Sequence, residues 1–90
     1  MPRSVFTDEY ADLVSLLIEA RRGVSITQVE LALRLNRPQS FVSKVERRER
    51  RLDVIEFCEI ADALGFEADK LLAEFLARRG RADQRDSPDG

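Results

Sequence analysis

The strongest constraint on this chain lies between Gln28 and Arg47, QVELALRLNRPQSFVSKVER, where two short helical patterns are separated by residues that stop one helix and start the next. Ile26 is apolar, Thr27 is a strong N-cap, and Glu30 three residues on completes a capping box. Leu31, Ala32 and Leu35 then recur at i, i+1 and i+4, an apolar stripe at helical spacing. Asn36 is second only to Gly in the left-handed turn that ends a helix. Pro38 supplies the fixed φ of a first helical position, so the next helix is expected over 38–47. There Phe41, Val42 and Val45 repeat the inward spacing, which leaves Gln39, Ser40, Ser43 and Lys44 on the outer side. Ala32 is small enough for the two helices to approach closely. Two short helices joined by a turn of about four residues have helix-turn-helix geometry.

The flanking sequence reads as what holds this unit. Residues 1–7 are expected to be a flexible arm, with Thr7 or Asp8 capping a first helix that runs to about Arg22. Its inward stripe is Tyr10, Leu13, Leu17 and Ala20, flanked by Val14 and Leu16. Asp53 with Glu56 forms a second capping box for a fourth helix, in which Val54, Phe57, Ile60, Ala61 and Leu64 recur at core spacing before Gly65. A fifth helix is expected over Asp69 to Arg79, with Leu71, Leu72, Phe75 and Leu76 on its apolar side. Residues 80–90, GRADQRDSPDG, are expected to be a disordered tail, which leaves 8–79 as one domain. The expected class is all-α.

Composition narrows the function. With one Cys and no His there is no disulfide framework and no ordinary zinc site. Cys58 sits among helix-periodic apolar residues and reads as a small core residue. No apolar run approaches a membrane span, and the N-terminus is not a signal peptide, so a cytoplasmic protein is expected. Catalysis is not indicated: paired carboxylates, a glycine-rich phosphate loop and an activated nucleophile are all missing. The formal net charge of −2 is unevenly distributed. Arg34 to Arg51 holds seven basic residues against Glu46 and Glu49, a net of +5. Leu52 to Ala77 holds seven acids against Lys70, a net of −6. A molecule so divided can turn one face to phosphates.

The stretch ITQVELALRLNRPQSFVSKVERRERRLDV resembles the bacterial and phage repressor-type helix-turn-helix family, also called Cro-like or XRE-like. Its pattern is met by Thr27, Gln28, Glu30, Leu31, Ala32, Leu35, Gln39 to Glu46, Glu49 and Arg50, and Ile60 to Gly65 fits its fourth helix. The resemblance covers roughly Tyr10 to Leu76. Two positions depart from it. Asn36 replaces a turn Gly, and Arg48 replaces the Gly after the recognition helix, at a cost of about 1 kcal/mol or more if the site needs positive φ.

The resemblance implies a five-helix lambda-repressor-like domain that reads double-stranded DNA, without cofactor or metal, in a bacterial or phage setting near the nucleoid. The first turn of the recognition helix enters the major groove. Gln39, Ser40, Ser43 and Lys44 are therefore the expected base contacts: Gln suits adenine, and Lys suits guanine O6 and N7. Gln28, Arg37, Arg47, Arg48, Arg50 and Arg51 are the expected phosphate contacts. Arg21 is expected to pair with Glu46 and fix the angle of the reading helix. Such domains pair on inverted repeats about one turn, roughly 34 Å, apart. Ile55, Leu72, Phe75 and Leu76 are the candidate homodimer surface. A transcriptional repressor is the leading expectation. The alternative is a helical protein-interaction module, an antitoxin-like partner binder that has lost DNA reading.

Overall fold

The computed structural model describes the backbone of residues 7–86 and the side chains of residues 7–80. It has five helices and, among the described residues, no strand: α1 Asp8–Gly23, α2 Gln28–Leu35, α3 Gln39–Glu46, α4 Val54–Leu64 and α5 Ala68–Asp86. The N-terminal signals act where the sequence places them. Thr7 Oγ1 accepts from the Tyr10 amide, and Thr27–Glu30 and Asp53–Glu56 form complete capping boxes. Pro38 is the exception. It is the N-cap of α3, with φ −65° and ψ 153°, rather than its first helical residue, and α3 ends at Glu46. A proline φ suits either position; here the extended ψ re-aims the chain out of the preceding turn.

The first four helices close in one way. Amide–carbonyl pairs Ile26–Arg21 and Ser25–Arg22, Arg37–Ala32 and Asn36–Leu33, Glu49–Lys44 and Arg48–Val45, and Phe66–Ala61 and Gly65–Asp62 are the two bonds of a Schellman motif at each end. The motif requires a left-handed residue, supplied by Ser25 (φ 60°), Asn36 (φ 58°), Arg48 (φ 63°) and Gly65 (φ 84°). Only one of the four is a glycine, and Ser25 is the one whose left-handed turn the sequence does not mark.

The main core cluster draws on all five helices, and Val42 within it and Val14 on α1 are the largest fully buried side chains. Each such aliphatic side chain contributes roughly 1.5–3 kcal/mol by leaving water. Phe41, Val42 and Val45 hold the inner side of α3 against α1 and α2. At the C-terminus α5 does not stop at Arg79; the described backbone continues helically to Asp86. Residues 1–6 of the expected arm and 87–90 of the expected tail lie outside the described residues.

Candidate nucleic-acid interface

With Phe41, Val42 and Val45 buried, helical geometry leaves one face of α3 to solvent. Gln39, Ser40 and Lys44 on it are exposed, and Ser43 is half-buried. Their i, i+1, i+4, i+5 spacing puts amide, hydroxyl and ammonium groups on a single stripe. Among the described residues Lys44 makes no ion pair, so its charge points outward unneutralised.

Behind this stripe a polar chain fixes where α3 lies. Arg21 is 7% exposed. Its Nε and Nη2 donate to the two carboxylate oxygens of Glu46 at 2.7 and 3.0 Å, and its Nη1 donates to the Ile26 carbonyl at 2.8 Å. The last turn of α3 is thereby tied to α1 and to the loop entering α2. Glu46 Oε1 also accepts from Gln28 Nε2 at 2.9 Å, and Gln28 Oε1 accepts from Gln39 Nε2 at 3.3 Å. One end of the Gln39 amide is held, leaving its oxygen and second N–H for a partner. That donor–acceptor pair matches the N6 and N7 edge of adenine. In the free protein the Gln28 side chain is therefore turned toward Glu46 and Gln39.

The six expected phosphate residues are not equivalent. Arg48 is exposed and, among the described residues, makes no ion pair or side-chain hydrogen bond. Arg47 is exposed and pairs with Glu49 at 3.1 Å. Arg51 lies 4.8 Å from the Tyr10 ring centroid. Arg37 and Arg50 lie 4.4 and 4.8 Å from the Phe41 ring centroid, and Arg50 makes two 2.9 Å hydrogen bonds to Glu56. The Tyr10 hydroxyl donates to the Arg50 carbonyl and accepts from the Leu52 amide, both at 3.1 Å, so α1 grips the segment after α3. Neither this clamp nor the wider role of Glu56 was legible from the sequence, where Glu56 is visible only as half of a capping box. The partners lie six or more residues apart and no local spacing relates them.

On α4 and α5 Ile55 is 66% exposed, Leu72 43% and Leu76 49%. Phe75 differs from them: it is half-buried and packs against the chain's own core. Val54 is 74% exposed and adjoins Ile55. Among the described residues no group of His, Cys, Asp and Glu is arranged to hold a metal ion, and no helix is long and apolar enough to cross a membrane.

A short helix laid across a second, with its polar face outward and its last turn fixed by a buried ion pair, defines a helix-turn-helix domain. The Helix-turn-helix family pattern matches residues 17–71. The chain is also similar to the solved structure of an XRE-family like protein from Pseudomonas syringae pv. tomato str. DC3000, with 52% identity and TM-score 0.76 over 79% of this chain and 87% of that one. A second likeness is to the restriction-modification controller protein C.AhdI from Aeromonas hydrophila, with 26% identity and TM-score 0.66 over 72% of this chain and 98% of that one. None of the curated proteins compared matches the chain. The chain belongs to the XRE-type helix-turn-helix family, a class of DNA-binding transcriptional regulators.

Proposed function

We propose that the protein is a sequence-specific repressor that reads the major groove of an inverted repeat with the outer stripe of α3. The observation that carries this reading is the Gln28–Gln39 hydrogen bond, continued through Glu46 to buried Arg21. It holds a base-reading amide in one orientation before DNA arrives, which lowers the ordering cost of recognition. Gln39, Ser40, Ser43 and Lys44 contact bases, while Arg48 and Arg47 contact phosphates at the far end of α3. The similarity to a controller protein supports a regulatory setting, and a domain bound across a promoter represses by blocking access to it.

Ile55, Leu72 and Leu76, with Val54 beside Ile55, form the surface through which two copies pair. The acidic residues of α4 and α5 keep that side away from phosphates. The test is selection from a random duplex library with wild type and with Gln39→Ala/Lys44→Ala, followed by sedimentation with and without the selected duplex. The expected result is an enriched inverted repeat, lost in the double variant and bound by two copies. A folded protein that enriches nothing at moderate salt overturns the reading and leaves the partner-binding module.

A further inference from the structure

The basic stretch contains two arginines that do not face outward freely. Both guanidinium groups, Arg37 and Arg50, lie within 4.8 Å of the same ring centroid, that of Phe41 in the first turn of α3. Like charges so placed repel unless an anion joins them. Glu56, at the start of α4, is the anion that reaches both, while Glu59 one turn on lies 3.6 Å from Arg37 Nη2 alone. The Glu56 side chain is 9% exposed. Its two oxygens accept from Arg50 Nη1 and Nη2 at 2.9 Å each, and Arg37 Nη2 lies 3.7 Å away. Glu56 Oε1 also accepts from the Asp53 amide at 3.1 Å, so the carboxylate is fixed to the α4 N-terminus. Arg50 Nη1 further donates to the Arg51 carbonyl at 2.9 Å.

We propose that Glu56 is a positioning residue for DNA reading: through Arg50 and Arg37 it seats the Phe41 ring and so sets the first turn of α3. The inference rests on the reading of α3 as the DNA-reading helix. An eight-residue helix is marginal alone, so its orientation is set by what grips each end. Pro38 provides no side-chain cap at the entry of α3. Arg21 grips the last turn through Glu46; Glu56 does the same for the first turn, where Gln39 and Ser40 are carried. The charges of Arg37 and Arg50 are engaged within the protein and do not add to the count of phosphate contacts.

This role and a plain electrostatic one predict opposite signs. If Glu56 merely sits near the DNA, neutralising it releases Arg50 and leaves Arg37 with Glu59 alone, which strengthens binding. The experiment measures the affinity of the full chain for the selected duplex and for a random duplex of equal length across a salt series, for wild type, Glu56→Gln and Arg50→Gln. Helicity is followed in parallel. Glu56→Gln is expected to weaken the selected duplex about tenfold, leave the random duplex within about twofold, and keep the salt slope. Tighter binding to both duplexes with a steeper slope overturns the proposal, as does an unchanged selected-to-random ratio. Arg50→Gln, whose side chain is 40% exposed, decides the matter should Glu56→Gln fail to fold. The same loss of ratio at constant slope supports positioning. Equal loss on both duplexes with a slope lower by about 0.9 marks Arg50 as a phosphate contact and overturns it. If wild type itself shows no preference, the DNA-reading function falls together with the proposal; if wild type discriminates and both variants match it, only the proposal falls.

Discussion

Arg48 shows how one side chain can serve two opposed demands. It is the left-handed residue of the Schellman motif that closes α3, at φ 63°, where a Cβ costs about 1 kcal/mol or more. It is also the exposed cation nearest the end of the reading helix that no acid neutralises among the described residues. A glycine would relieve the backbone and lose the charge. Arg48→Gly is therefore expected to raise stability by about 0.5–1 kcal/mol in a urea melt. It should also weaken selected and random duplexes equally and lower the salt slope by about 0.9. An unchanged slope would remove Arg48 from the phosphate contacts. This position was legible in advance as a departure from a glycine pattern. Ser25, equally left-handed, was not, because nothing in its neighbours distinguishes a Schellman turn from a loop.

At the scale of the element, the helix starts that carry side-chain caps are legible because the caps are local, whereas α3, with no such cap, starts one residue after Pro38. Thr27–Glu30 and Asp53–Glu56 each lie within four residues and act as expected. The α5 helix runs past Arg79 to Asp86, where the polar composition from Gly80 on predicts a disordered tail. A Cβ at Gly80 meets no atom within 4 Å, and Arg, Ala and Gln around it are good helix formers, so one glycine weakens the helix without ending it. Gly80→Ala should raise helical content and stability by about 0.5–1 kcal/mol, read by circular dichroism and thermal melting; no gain would mean that the helix there is not limited by Gly80. The links between elements carry a pH dependence. Arg50 beside Glu56 and Arg78 beside Glu19 hold both carboxyls below their ordinary 4.5, and the Thr27 amide does the same for Glu30. Groups depressed in the folded state contribute stability that is present above the ordinary value and is lost as pH falls through the depressed ones. The melting temperature should therefore drop below pH about 4.5, and Glu56→Gln should drop less steeply. Parallel curves for the two proteins would show that Glu56 contributes nothing to acid stability.

For the whole molecule, the polarity of charge is the organising fact. Seven basic residues from Arg34 to Arg51 adjoin an acidic α4 and α5, so a chain of net charge −2 carries a basic segment and an acidic one. The class of fold and the stripe Gln39, Ser40, Ser43, Lys44 were legible in the sequence because they follow from helical spacing. The division of labour among the arginines was not. Arg37 and Arg50 owe their engagement to Phe41 and Glu56, which meet them only once α3 and α4 have packed. Phe75 was placed on the pairing surface by its spacing, yet it packs against the core, since periodicity does not say which edge of an apolar stripe its own domain covers.

The central claim is that the outer stripe of α3 reads bases, and the most direct test is a position-by-position binding matrix. Every base pair of the selected duplex is substituted in turn, and affinity is measured for wild type and Gln39→Ala. The account predicts that discrimination of about 1–3 kcal/mol disappears at one position in each half-site and survives at the others. A uniform loss across all positions would contradict it, because a residue that only supports the fold or the phosphate contacts weakens every sequence alike.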